Sequence, residues 1–188
     1  MKHTRLIARS GLIAAVYAAM TIVVLQFPAY LGWGLIQFRP SEAVTVLAVL
    51  TPAAIPGLFL GTLVANAFNL ATVGPIALLD VVFGSIATLA GALWTWRFRA
   101  RTALALAGPV IFNALIVPAY LPFLLAGLGL YRVPLLGVDL EGAWLVMYAY
   151  GVVTIGVCEG IIVYALGWPL LAVLKAAGLA KRLAEEDQ

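Results

Sequence analysis

Arg39 and Glu42 stand one helical turn apart at the mouth of the otherwise apolar stretch 36–52, IQFRPSEAVTVLAVLTP. Two more acids, Asp80 and Glu159, sit inside runs that are apolar on both sides. An ionisable side chain within hydrocarbon costs about 2.5–3.5 kcal/mol on insertion scales, so each of these residues marks a candidate site. Gln37, Asn66, Asn113 and Tyr120 fall in the same runs and add amide and hydroxyl partners. Such a set offers acceptors, one guanidinium and aromatic faces, which suits recognition of a polar or cationic small molecule by hydrogen bonding and charge. Covalent chemistry has no counterpart here: there is no HExxH, no Ser/His or Cys/His pairing and no GxxxxGK, and the single histidine, His3, lies near the N-terminus. An ATP-driven step would therefore fall to partner chains. No cofactor is called for, and the lone Cys158 reads as a buried packing thiol, which excludes a disulfide or a cysteine metal site.

Each residue also has a purely structural role open to it. Pro40 suits the first turn of a helix, where Glu42 would favour the positive end of the dipole and pair with Arg39. Asp80 lies more than one turn past Pro75, about 7 Å at 1.5 Å per residue, which is too deep for a cap and leaves a ligand or Arg39 as its partner. Gly84, Ala87 and Gly91 continue its face, so it looks into a bundle and away from lipid. Glu159 has no basic residue at helical spacing; it is protonated, hydrogen-bonded to Asn113 or a tyrosine, or satisfied by a ligand. Asn69 suits a helix end, whereas Asn66, a turn earlier, is placed to reach a ligand. The prolines around Tyr120, Pro118 and Pro122, either free carbonyls to line a cavity or adjust packing.

The elements that must hold these residues are membrane helices. With 188 residues, 64% hydrophobic and 10% charged, the chain has too little polar surface for a soluble globule. Hydropathy gives six spans, about 10–27, 40–51, 55–70, 75–96, 102–126 and 141–166, in one membrane domain over 1–188. The runs are continuous, not alternating, which makes an all-α integral membrane bundle of six transmembrane helices and excludes barrel strands. The second and third spans fall short of about 20 residues and are expected to be broken, tilted or partial. Lys2, Arg5 and Arg9, then Arg97, Arg99 and Arg101, then Lys175, Lys181 and Arg182 all fall on one side of six crossings, which the positive-inside rule makes cytoplasmic together with both termini; Arg39 and Arg132 remain outside. The basic residues are thus explained by topology, and nucleic acid is not an expected partner. The N-terminal run has no small-x-small cleavage site and is kept as the first helix.

Ala14, Ala15, Ala18 and Ala19 form two small-xxx-small pairs on the first helix, suited either to packing within the chain or to contact with a separate membrane subunit. Gly57, Gly61 and Ala65 form a comparable ridge on the third span. The outer loop 28–37, PAYLGWGLIQ, either closes over a pocket mouth or contributes Tyr30 and Trp33 as interfacial aromatics. No internal repeat of the kind that supports alternating access is visible.

The strings QFRPSEAVTVL (37–47), AIPGLFLGTLVANAF (54–68) and DVVFGSIATLA (80–90) closely resemble the QueT family, substrate-binding (S) components of energy-coupling factor (ECF) transporters held to import queuosine precursors. The resemblance covers the second to fourth spans most strongly and 159–171 more weakly. It implies a six-helix S component in a bacterial cell membrane that captures a deazaguanine from outside and docks on a transmembrane coupling subunit with two ATPases. It further implies that Ala14, Ala15, Ala18 and Ala19 meet the coupling subunit and that 28–37 acts as a lid. A deazaguanine presents ring N–H and exocyclic NH2 donors side by side for a carboxylate, and a carbonyl for Asn, Gln or Arg. Its ring suits Phe38, Trp33 or a tyrosine, and an aminomethyl substituent would engage a second carboxylate. An S component for another vitamin such as thiamine, or a stand-alone carrier or channel with Asp80 and Glu159 as a relay, are the alternatives.

Overall fold

A computed structural model describes residues 2–26, 34–129, 144–180 and 182–183. Five helices are long and apolar enough to cross a membrane: α1 (Lys2–Leu25), α2 (Ala54–Val73), α3 (Pro75–Arg97), α4 (Thr102–Gly127) and α5 (Trp144–Ala176). The sixth is a ten-residue 3₁₀ helix, Pro40–Val49. The described residues are helical throughout with short connections, as the continuous apolar runs require. Leu12, Val64, Phe123, Leu145, Val153 and Val173, drawn from four of the long helices, are exposed together with many like them, which is the outer surface expected against lipid and not against water.

Residues 40–49 form a narrower helix than an α-helix, and that solves their shortness. At about 2.0 Å per residue a ten-residue 3₁₀ segment extends about 20 Å, against about 15 Å for the α form. Val44, Thr45, Val46 and Val49 are β-branched and lower the α preference, while the Thr45 hydroxyl donates to the Glu42 carbonyl at 2.5 Å. Three residues per turn stack Arg39, Glu42 and Thr45 on one line. Ala43, Val46 and Val49 face α5 and α4, packing with Ala105, Leu106, Val163 and Leu171, while Val44 and Ala48 pack with Ile13, Tyr17 and Leu58 of α1 and α2. The segment is thus the buried axis of the bundle.

In lipid, helices gain little from hydrophobic burial, so close approach and interhelical hydrogen bonds hold them. A Cβ on Gly61 would lie 2.8 Å from the Ala14 carbonyl oxygen, and one on Gly57 2.9 Å from that of Ser10, so the glycine ridge of α2 runs directly on α1. The Ser10 hydroxyl donates to the Ala53 carbonyl at 3.0 Å in the same seam. Pro109 cannot donate to the Ala105 carbonyl one turn back, and the Thr95 hydroxyl of α3 donates to it instead at 3.0 Å. Tyr164 likewise donates to the Ala103 carbonyl, joining α5 to α4.

Three helices differ in extent from the sequence expectation. α2, expected to be short, broken or partial at 55–70, is one continuous helix of 20 residues, Ala54–Val73, because the helix runs on until Gly74 turns the chain at φ 84°. α1 begins at Lys2, not near residue 10, because its basic first turns are good helix formers that hydropathy leaves out. α5 runs on through Pro169 to Ala176, because a π-helical stretch, Ile161–Gly167, precedes the proline, with the Trp168 N–H bonding the Val163 carbonyl five residues back. A second π stretch, Asp80–Gly84, interrupts α3. The residues of the expected lid at 28–33, with Tyr30 and Trp33, and 130–143, with Arg132, lie outside the described residues, as do Lys181 and the acidic tail.

Candidate functional site

All eight residues singled out for ligand contact are buried: Gln37, Arg39, Glu42, Asn66, Asp80, Asn113, Tyr120 and Glu159. They come from the 3₁₀ helix and the residues just before it, Gln37 and Arg39, and from the four helices α2 to α5, and they form two clusters with Arg39 between them.

The first cluster is built on Asp80, the opening residue of the π stretch in α3. The Tyr120 hydroxyl of α4 donates to Asp80 Oδ1 at 2.6 Å, and Asn66 Nδ2 of α2 donates to the Asp80 backbone carbonyl at 2.8 Å. Gly84 backs this contact: a Cβ there would lie 2.8 Å from Asp80 Oδ1, 2.9 Å from Asn66 Nδ2 and 3.1 Å from the Tyr120 hydroxyl. Phe83 stacks on the Tyr120 ring with centroids 5.8 Å apart. Asp80 Oδ2 and Asn66 Oδ1 are buried and accept no hydrogen bond.

The second cluster joins Glu42 of the 3₁₀ helix to Glu159 of α5. Asn113 Nδ2 donates to Glu159 Oε1 at 3.0 Å, one of the three partners open to Glu159 on sequence grounds. The Tyr17 hydroxyl of α1 donates to Glu42 Oε1, and the two carboxyl groups are close enough to interact with each other. Glu42 Oε2 has no hydrogen-bond partner, nor does the buried Gln37 Nε2, whose backbone lies against Cys158. Arg39 interacts electrostatically with Asp80 most strongly and also with Glu42, so one guanidinium serves both clusters. Three carboxyl groups converge on it.

The result is a polar interior with acceptors on two sides and one unused amide donor. Buried polar groups without partners are rare in folded proteins and each asks for an explanation. Glu42, Asn66 and Asp80 supply acceptors and Gln37 supplies a donor, which together match a ligand that carries several N–H groups and a carbonyl.

Sequence reasoning missed Tyr17, which is 0% exposed and completes the Glu42 site. A tyrosine hydroxyl at the middle of a membrane span needs a buried partner, and that was the available signal. It also missed Ser85, whose buried hydroxyl near Asp80 in sequence has no partner. Phe38 is 37% exposed, unlike the buried residues of the two clusters. The alanines of α1 divide: Ala18 is buried and Ala14 half-buried against α2, whereas Ala15 and Ala19 are exposed.

The family model described as QueT transporter matches residues 7–176 of the chain. No curated protein and no solved structure matches it.

Proposed function

The chain belongs to the QueT transporter family, a family of membrane transporters, and from that premise we propose that it is the substrate-capture subunit of an ATP-driven ECF importer, binding a queuosine precursor from outside the cell. The observation that carries this reading is the set of unused buried hydrogen-bonding atoms, Asp80 Oδ2, Asn66 Oδ1, Glu42 Oε2 and Gln37 Nε2, with Arg39 interacting with both Asp80 and Glu42. In a 7-deazaguanine, the ring N–H and the exocyclic NH2 are adjacent donors that a carboxylate accepts together, and the ring carbonyl accepts from an amide such as Gln37 Nε2. A bond of this charge-assisted kind is worth about 1.5–3 kcal/mol, and more of it is retained where water is excluded.

Charge favours one precursor over the others. Three carboxyl groups share a single guanidinium, so the aminomethyl form, which brings a cation, compensates a second carboxylate; the cyano form does not. The Asp80 cluster then reads the base edge and the Glu42–Glu159 pair meets the ammonium, with Tyr120 offering a ring face.

Capture is the whole of the chain's task in this reading. Transport needs a transmembrane coupling subunit and two ATPases, and Ala15 and Ala19 on the exposed face of α1 are the small residues through which a partner helix approaches closely. The termini are cytoplasmic, by the basic residues at the starts of α1 and α4 and the end of α5, and the membrane is a bacterial one.

Mass spectrometry of small molecules released from the purified chain tests the assignment. A deazaguanine in stoichiometric amount supports it, and thiamine in its place would keep the capture role and replace the ligand. Uptake by proteoliposomes holding this chain alone would instead favour a stand-alone carrier.

A further inference from the structure

A cavity of about 480 Å³ lies at the opposite end of the bundle from the start of the 3₁₀ helix. Its floor is Val49 and Leu50, where the 3₁₀ helix ends; one wall is Arg97, Arg99 and Ala100 at the turn after α3, and the other is Lys175 and Ala180 at and beyond the end of α5. Three cationic side chains from two distant parts of the chain therefore converge on one concave surface. Among the described residues the only carboxylate side chains are Glu42, Asp80 and Glu159, all buried in the site described above, so none lines this cavity. Arg99 is held in place, stacked on Trp96 at 3.9 Å from its centroid and donating to the Trp96 carbonyl at 2.9 Å.

Like charges brought together without a counter-charge repel, and an anion that bridges them removes the repulsion. The cavity opens where two membrane-spanning helices end, with Trp94, Trp96 and Trp168 nearby in sequence, the aromatic residues favoured at the membrane–water boundary. Basic pockets between helix ends on this face suit phosphate headgroups. We infer that Arg97, Arg99 and Lys175 form a binding site for the headgroup of an anionic phospholipid, seated between the ends of the 3₁₀ helix, α3 and α5. The bound lipid fastens the last turn of the 3₁₀ helix to its neighbours. This site is independent of the ligand assigned to the buried cluster.

Native mass spectrometry of the full chain, purified and exchanged into equal mixtures of phosphatidylglycerol and phosphatidylcholine, tests it. One phosphatidylglycerol should be retained in preference, and R97Q/K175Q should lower that preference about thirtyfold, the factor that corresponds to two basic residues near a membrane surface. R5Q/R101Q, with the same loss of charge on residues that do not line the cavity, should leave it unchanged. Equal losses in both variants, or no preference in the wild type, would overturn the site in favour of a diffuse basic surface. Displacement of the lipid by millimolar inorganic phosphate would overturn the lipid assignment. Retention that appears only in E185Q/E186Q/D187N would give the cavity to the chain's own acidic tail.

Discussion

Replacing Gly84 by alanine adds a single methyl group, and the structure says where it would go. It would stand 2.8 Å from Asp80 Oδ1 and 2.9 Å from Asn66 Nδ2, both closer than a Cβ tolerates, and 3.1 Å from the Tyr120 hydroxyl, which is tight. None of the three can yield freely, because Tyr120 donates to Asp80 Oδ1 and Asn66 donates to the Asp80 carbonyl, and all three residues are buried. Over-packing of this kind costs about 1–3 kcal/mol. If Asp80 turns aside to relieve it, the charge-assisted bond from Tyr120 is lost as well, at about 1.5–3 kcal/mol. Affinity for an aminomethyl-deazaguanine should fall by one to two orders of magnitude, on the order of 1.4 kcal/mol for each tenfold. Isothermal titration of purified G84A measures the affinity, and the melting temperature without ligand measures the packing cost separately. G160A is the matched control: Gly160 adjoins Glu159 in sequence, yet a Cβ there meets nothing within 4 Å, so both quantities should stay at wild-type values. Wild-type affinity in G84A, or an equal loss in G160A, would refute the reasoning that Asp80, Asn66 and Tyr120 form a packed binding cluster.

Further outcomes follow from the same geometry. Glu159→Gln and Glu42→Gln should each weaken ligand binding by about 1–3 kcal/mol in titration, the scale of a lost charge-assisted hydrogen bond; unchanged affinity with reduced folding yield would assign both to packing alone. Tyr17→Phe removes the hydroxyl that donates to Glu42 and should lower the unliganded melting temperature, and also the affinity about two- to tenfold, from a net hydrogen bond of about 0.5–1.5 kcal/mol. Gly61→Leu drives a side chain into the Ala14 backbone and should destabilise the purified chain by about 3 kcal/mol in thermal unfolding. Ala15→Leu with Ala19→Leu, on the exposed face of α1, should leave melting and ligand affinity alone and abolish ATP-dependent uptake by the assembled transporter.

The chemistry was more legible in the sequence than the backbone that delivers it. An acid within an apolar run announces itself through its insertion cost, so Asp80 and Glu159 could be found by inspection, and Asn113 was among the few residues able to meet Glu159. Hydropathy does not distinguish helix types, so nothing in 40–49 revealed a 3₁₀ rod beyond its being too short to span as an α-helix. The π stretches Asp80–Gly84 and Ile161–Gly167 were equally invisible, since one extra residue per turn leaves the composition unaltered. Both adjoin site acids, Asp80 at the first residue of one and Glu159 two residues before the other, a placement common for such turns. Tyr17 stands between Ala14 and Ala18, whose spacing in the sequence speaks only of close packing, and Ala14 does pack on α2. Ala14 and Ala18 could not be told from Ala15 and Ala19 by spacing alone, because adjacent lines on one helix look alike until a neighbour covers one of them.

The central claim is that the buried cluster around Arg39 binds a deazaguanine, and thermal unfolding of the purified wild-type chain in the presence of candidate ligands tests it most directly. Queuine and the cyano- and aminomethyl-deazaguanines are compared with thiamine and riboflavin. A ligand present at a hundred times its dissociation constant stabilises the folded state by about 2.7 kcal/mol, so the melting temperature should rise with at least one deazaguanine, most with the aminomethyl form, and with neither vitamin. No rise with any deazaguanine would contradict the claim.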